Sequence, residues 1–334
     1  MKNPLVSVNI LTYNGENLIE QCLKSVLNQT YPNIEILVID NASTDRTVEE
    51  IRNPKHEIRN IRVIENKENF GFAAGHNLGI RESRGEYVLC LNQDVVLDKD
   101  FLKYGVEAME KDGEIGSVQG KLLKIQNPKS KIQTIDTTGL LMLKNRRFVN
   151  RGQGEEDRNQ YKAGEIFGVD GAAPLYRRKT LEDVKINNEY FDEDFFCYKE
   201  DVDLAWRMRL YGWKAVYEPK ALAYHLRGAG EKAIKNYVSV ALARRKISKF
   251  AKFYSFKNQR LTQIKNELPG LFLRDIFAIV VKEIGAWFYV LFFEHYTWKA
   301  IRELIKQAPG AWRKRKIIMV NKKIGNKEMR KMYK

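Results

Sequence analysis

The sequence predicts an α/β chain built on a largely parallel sheet, and three observations carry that prediction. Strand-like and helix-like patterns alternate over the first 91 residues, as they do in chains that lay down a parallel sheet. Tyr87-Val88-Leu89-Cys90-Leu91 is an uninterrupted apolar run, the pattern of a strand covered on both faces. The run stops abruptly in Asn92-Gln93-Asp94, which delivers polar groups to the carboxyl edge of a buried strand. Ligands of open α/β sheets bind at that edge.

Each element follows in order. Leu5-Val6-Ser7-Val8-Asn9-Ile10-Leu11 is a first strand, ending in Thr12-Tyr13-Asn14-Gly15. The next helix places Leu18, Ile19, Cys22, Leu23, Val26 and Leu27 on one stripe and is stopped by Tyr31-Pro32. Ile34 to Ile39 is a second buried strand; it ends in Asp40-Asn41, and Ser43 or Thr44 caps a short helix near Asp45. Ile61-Arg62-Val63-Ile64 is a third strand, and the glycine-rich stretch from Asn69 to Gly79 turns into a third helix. Gly71, Gly75 and Gly79 form no G-x-G-x-x-G, and no G-x-x-x-x-G-K-S/T is present, which argues against dinucleotide and triphosphate-loop chemistry. Polar residues nevertheless close two strands alike, at Asp40-Asn41 and at Asn92-Gln93-Asp94. Two such edges in one sheet exceed what turns require. They point to a nucleotide-diphosphate site, with a carboxylate able to share a hard divalent cation with the phosphates.

Composition bounds the rest. The 334 residues are 44% hydrophobic, which is a folded chain with a sizeable core. Cys22, Cys90 and Cys197 are odd in number, far apart and set in apolar runs, so they read as buried free thiols of a reducing compartment. Met1-Lys2-Asn3-Pro4 leads into the first strand without an apolar leader, and a cytoplasmic chain is expected. The net charge of +16 is unevenly spread: residues 227–334 hold 26 Lys or Arg against 7 Asp or Glu, which leaves −3 for residues 1–226. A basic back third implies an anionic partner, either a membrane surface or nucleic acid.

The front two-thirds resembles the inverting glycosyltransferases of family 2, which have the GT-A fold with its Rossmann-like nucleotide-binding sheet, and most of all the rhamnosyltransferase-like subgroup. The matching pieces are Val6 to Asn14, Val38-Ile39-Asp40-Asn41-Ala42-Ser43-Thr44-Asp45, Asn69-Phe70-Gly71-Phe72 with Asn77-Leu78-Gly79, and Leu91-Asn92-Gln93-Asp94 at the D-x-D position. Phe191-Asp192-Glu193 and Tyr198-Lys199-Glu200-Asp201-Val202-Asp203-Leu204 resemble the acceptor-side motif. The resemblance implies domains at 1–226 (nucleotide half 1–115, acceptor half 116–226) and 227–334. It implies that Thr12, Tyr13, Asn14, Asp40, Asn41, Gly71, Asn77 and Asn92 bind the nucleotide, with Asp40 reading a pyrimidine. Asp94 and His225 would hold Mg²⁺ or Mn²⁺, with Asn92 standing where the family has a first carboxylate. Asp201 would be the catalytic base and Glu200 its neighbour. The implied reaction passes a sugar from a nucleoside-diphosphate sugar, of dTDP-rhamnose or UDP-hexose type, to a lipid-linked or polysaccharide acceptor.

Other stretches say less. Ile115 to Leu123 reads as a strand, Asp136-Thr137-Thr138-Gly139 as a turn, 150–164 as a mobile polar loop, and Val169-Asp170-Gly171-Ala172-Ala173 as a border of the acceptor pocket. In the back third, Arg244-Arg245-Lys246, Lys249 and Lys252 alternate with Ile247, Phe250, Phe253 and Tyr254 in a basic amphipathic helix. Leu271 to Phe293 is the most apolar stretch, but Arg274, Asp275, Lys282 and Glu283 interrupt it. At 100° per residue its charges share one side, and Ile276, Phe277, Val280, Val281, Ile284, Trp287, Phe288 and Leu291 the other. Such a helix is expected to lie on an anionic membrane surface, on the cytoplasmic face, rather than cross it. The tail from Trp312-Arg313-Lys314-Arg315-Lys316 onward reads as basic and frayed. A nucleic-acid-binding protein that uses this basic third is the rival reading; no RNA-binding signature occurs there, and no nucleic-acid partner is expected.

Overall fold

The structure is a computed structural model that describes residues 3–53, 61–124, 133–226, 244 and 247–334. The alternation read from the sequence appears as β1 (Val6–Thr12), α1 (Ile19–Leu27), β2 (Ile34–Asp40), α2 (Thr47–Ile51), β3 (Ile61–Glu65), α3 (Gly71–Glu82) and β4 (Tyr87–Asn92). The second half adds β5 (Val95–Leu97), α4 (Phe101–Glu110), β6 (Ile115–Lys124), β7 (Thr134–Thr137), β8 (Leu140–Met142), β9 (Phe148–Asn150) and β10 (Gly164–Ile166). It continues through β11 (Leu175–Arg177), α5 (Arg178–Val184), α6 (Glu200–Leu210) and β12 (Lys214–His225).

Ten of these strands form one sheet in the order β10-β12-β6-β11-β4-β1-β2-β3, with β5 on β12 and β7 on β6, while β8 and β9 pair separately. The β3-β2-β1-β4 half is parallel throughout. The parallel expectation holds there and again in the β6–β12 pair, and it is interrupted by β11, which enters antiparallel between β4 and β6. The strand order reverses between β1 and β4, and that switch point opens a crevice at their carboxyl ends. On one face the core strands are apolar, with Val8, Ile10, Val38, Leu89 and Leu91 all buried beneath α1 and α4.

The back third continues as α7 (Lys249–Asn266), α8 (Pro269–Arg274), α9 (Ile276–Phe293), α10 (Trp298–Asn321) and α11 (Asn326–Arg330). Arg245 and Lys246 of the expected basic helix lie outside the described residues. The helices share a core with the front: Leu268, Leu271, Ile318, Met329 and Tyr333 pack with Trp206, Met142 and Val202. The tail expected to fray is therefore ordered helix, and the reason is electrostatic. Lys314 reaches Glu189 at 3.1 Å, Asp192 at 2.6 Å and Asp194 at 3.0 Å. Lys265, fully buried, pairs with Asp192 and, at 2.7 Å, with Asp203. Arg146, in the β8–β9 turn, joins Glu267 at 2.7 Å and Asp275 at 2.9 Å. Much of the basic charge is thus answered inside the molecule.

α9 is turned inside out relative to an ordinary surface helix. Lys282 and Glu283 face the protein, where Glu283 meets Arg260 of α7 at 2.6 Å. Trp287 packs edge-on to Phe256 at 5.1 Å, which moves it from the expected apolar side to the inner one. The outward side is apolar, with Phe277 at 82% and Ile284 at 64% exposure. By length and composition this helix is sufficient to cross a membrane, with a mean hydropathy of 1.9.

Candidate functional site

The first group of predicted residues gathers at the carboxyl ends of β1 and β2. Thr12 Oγ1 and the Tyr13 N–H both donate to Gln93 Oε1, the latter at 3.0 Å, and Gln93 Nε2 returns a bond to the Tyr13 carbonyl at 3.1 Å. Gln93, which the sequence reading passed over, therefore lashes the two loops of the switch point together. Tyr13 is exposed on the rim. Asn14 sits in the left-handed region (φ 48°) and accepts from the Thr44 N–H at 2.8 Å. Asp40 is buried, and its two oxygens accept from the Ser43 N–H at 2.9 Å and the Ser43 hydroxyl at 2.5 Å. Asn41 donates to the Gly71 carbonyl at 3.0 Å and accepts from Asn66 at 2.8 Å. Gly71 has φ +82°, and a Cβ there would lie 2.5 Å from the Phe196 carbonyl oxygen, so no other residue fits.

Asn77 departs from its expected role. It is fully buried, accepts from the Tyr190 and Phe191 N–H groups at 3.2 and 2.8 Å, and donates to the Phe191 carbonyl and Glu193 at 2.8 and 2.9 Å. With both ends of its amide engaged, it braces the loop ahead of α6 and has nothing left for a nucleotide.

The second group meets in a cleft of about 840 Å³, lined by Asn92, Asp94, Asp170, Glu200, Asp201 and His225 among others. Asp94 and His225 are 131 residues apart, and the sheet brings them together. β12 runs antiparallel to β5 with His225 opposite Val95, and the Leu226 N–H donates to the Asp94 carbonyl at 2.8 Å. His225 Nε2 then lies 3.2 Å from Asp94 Oδ2, and its Nδ1 lies 2.8 Å from Asp136 Oδ2. With an Nδ1 proton given to Asp136, Nε2 turns toward a carboxylate, and such a pairing is held by a shared cation, a proton or a metal. Two ligands at right angles on an octahedral ion with bonds near 2.1 Å are about 3 Å apart, so the pair fits a hard divalent cation. No cluster of three or more His, Cys, Asp or Glu able to hold a metal occurs among the described residues. Asp136 was read as part of a turn but ends a strand and is buried. Its one cue was a carboxylate inside the β-branched run Thr134-Ile135-Asp136-Thr137-Thr138.

The opposite wall is the start of α6. The chain reaches it through a turn in which Phe196, Tyr198 and Lys199 all have positive φ, at 62°, 67° and 75°. Non-glycine residues held there cost on the order of 1–3 kcal/mol each, and such strain collects at functional sites. Asp201 Oδ2 accepts from the Gly171 N–H at 3.1 Å and Oδ1 from the Val202 N–H at 2.7 Å. Burial, reinforced by the negative charge of Asp170, pushes Asp201 up to about 6. Glu200 is buried more deeply, and burial together with the Asp201 charge pushes it well above the carboxylate range. Of the two, Glu200 is pushed the more strongly toward its protonated form. Asp170 is the other residue that motif spacing missed as a charge in the site.

The chain matches the model of "Glycosyl transferase family 2" over residues 7–185. It is 32% identical over 224 residues to a poly-beta-1,6-N-acetyl-D-glucosamine synthase of Staphylococcus epidermidis, and 32% over 217 residues to one of Staphylococcus aureus. The matched stretches cover 66% and 64% of this chain, and the chain spans about half the length of these curated relatives, 50% and 48%. Among solved structures it is similar to S. aureus TarS 1–349 in complex with UDP-GlcNAc (TM-score 0.58, 18% identity, 91% of this chain and 81% of that one). It is also similar to the mannosyltransferase PcManGT of Pyrobaculum calidifontis in complex with GDP-Man and Mn²⁺ (TM-score 0.53, 18% identity, 96% and 86%). The fold is that of the GT-A enzymes, and the chain belongs to glycosyl transferase family 2.

Proposed function

We propose that this protein transfers a sugar from a nucleoside-diphosphate sugar to a glycan hydroxyl, with inversion at the anomeric carbon. The observation that carries the reading is that one cleft is lined by Asp201 and Glu200 together with the Asp94–His225 pair. The nucleotide lies over the carboxyl ends of β1 and β2, with Tyr13 and Asn14 on its rim, Asp40 at its pyrimidine edge and Asn92 at the ribose. Thr12, Asn41 and Gly71 act as the frame of that pocket. Asp94 and His225 would hold a divalent cation, Mg²⁺ or Mn²⁺, which would neutralise charge on the departing diphosphate. Asp201 takes the proton of the acceptor hydroxyl as that oxygen attacks the face of the sugar opposite the leaving group. Burial disfavours a second negative charge on Glu200, which leaves Asp201 as the acceptor of the proton.

The names of the relatives favour a UDP-hexose such as UDP-GlcNAc over dTDP-rhamnose, and a cell-surface polysaccharide or its lipid-linked precursor as acceptor. The test is a panel of sugar nucleotides, including UDP-GlcNAc, UDP-glucose, GDP-mannose and dTDP-rhamnose, assayed with Mg²⁺ or Mn²⁺. One donor should release its nucleoside diphosphate, and release should stop in chelator. No release from any donor overturns the proposal.

We also propose peripheral attachment to the cytoplasmic face of an anionic membrane through residues 227–334. What supports it is α9, whose charges point into the protein and whose apolar side points out. An amphipathic helix with neighbouring cations gives the two signals that stable attachment needs. Co-sedimentation with vesicles should require anionic lipid, weaken as salt rises, and be lost in Phe277→Ser/Ile284→Ser. Binding that is equal on neutral vesicles counts against it.

A further inference from the structure

The cleft is closed on its acceptor side by residues that lie beyond the stretch matching the family model. Ile247, Phe250, Ala251 and Ser255, from α7 and the residues just ahead of it, line the same cleft as Asp201. Phe250 and Tyr198 leave 51% and 44% of their surface open although both line the cleft that holds Asp201. Core packing does not account for their exposure, whereas the rings behind them are tied down. Tyr254 stacks on Phe196 at 5.3 Å with 19° between planes, and Phe250 meets Tyr254 edge-on at 4.8 Å. Tyr198 and Phe250 are 6.3 Å apart at 68°. The exposed pair is thus rigidly backed, and it forms an aromatic corner at the mouth of the cleft.

We infer that Tyr198 and Phe250 form a subsite for a pyranose ring of the acceptor, so that the accepting molecule is a sugar chain and not a bare lipid or polyol. This rests on the transferase reading above. Two features support it. The apolar C–H face of a pyranose matches an aromatic face, while its hydroxyls reach the polar groups of the cleft floor, Asn150, Asp170 and Asp201. The donor's base has its own exposed aromatic, Tyr13, on the separate β1 edge, which leaves this corner to the acceptor. Tyr198 also sits in the strained turn next to Glu200-Asp201, so a ring seated on it lies beside the proton-accepting group.

The experiment measures KM for a tetrasaccharide of N-acetylglucosamine and for a glycerol phosphate oligomer, alongside donor affinity and donor hydrolysis without acceptor. Phe250→Ala should raise the tetrasaccharide KM about tenfold, the value of losing one aromatic contact, and Phe250→Trp should restore it. Donor affinity and acceptor-free hydrolysis should stay within twofold of wild type. An unchanged tetrasaccharide KM in Phe250→Ala overturns the subsite, as does a wild-type enzyme that uses the glycerol phosphate oligomer and ignores the tetrasaccharide. No nucleoside diphosphate release from any donor, with or without acceptor, overturns instead the reading on which it rests.

Discussion

Asp201 and His76 show how burial acts on single side chains with opposite sign. Asp201 must be ionised to accept a proton, so kcat should fall about tenfold per pH unit below about 6, the level to which burial and Asp170 raise it. Asp201→Asn should lose about 10²–10⁴-fold in kcat while donor affinity is kept; an active variant would place the base elsewhere. The raised value also has a stability sign. Between pH 3.8 and about 6 the folded chain keeps a proton that the unfolded chain has released, so this group's contribution weakens as pH rises through that window. His76 is the reverse case. It is fully buried against Phe72 at 4.4 Å, neither ring nitrogen has a hydrogen-bond partner, and burial lowers it from 6.5 to about 3. The unfolded chain gains the proton first, so stability is lost as pH falls from 6.5 toward 3, up to about 5 kcal/mol. Urea denaturation at pH 7 and pH 4 checks this: His76→Leu should lose less stability on acidification than wild type, and an equal loss would refute it. The places of Asp94, His225 and Asp201 at strand ends and a helix start were legible in the sequence, because apolar runs that stop in polar residues mark such ends. Asn77 was misread because a helix pattern does not say which face meets the ligand and which meets a neighbouring loop.

At the scale of elements, the turn before α6 is held from outside. Asn258 of α7 is fully buried, and its amide nitrogen lies 2.9, 2.9 and 2.7 Å from the carbonyls of Phe195, Cys197 and Tyr198. Lys257 beside it donates to the Asp194 carbonyl at 2.6 Å. One helix thus secures the strained backbone that aims Asp201. Asn258→Ala should lower kcat by about 10- to 100-fold, since misplacing a reacting group by an ångström is that costly, with donor affinity within twofold by calorimetry. Stability should drop by about 1–3 kcal/mol for the carbonyls left unanswered. A variant that melts earlier yet turns over normally would show that the turn holds its own shape. None of this was visible in the sequence, where Asn258 is one polar residue in a basic helix.

For the whole molecule, the parallel half of the sheet was legible because its strands are long apolar runs separated by helices. The rest was legible only in part: β6 was read as a strand, whereas β8, β9, β10 and β11 have three residues each, too few for a period to show. The charge asymmetry was read correctly as a count and incompletely as a surface, since composition cannot say that Lys265 and Lys314 point inward. For α9 the two sides were legible, and which of them faces the protein was not.

Asp192 has a consequence for anyone who would cut this chain. Burial alone would raise its carboxyl, yet it is held well below the usual range by Lys265 of α7 and Lys314 of α10. Removing those helices would strand Asp192 and Asp203 without counterions and leave Arg146 without Glu267 and Asp275, at about 3–5 kcal/mol for each broken buried pair. The catalytic part is therefore not a portable cassette. A chimera that borrows its chemistry has to bring the carboxyl-terminal helices with it.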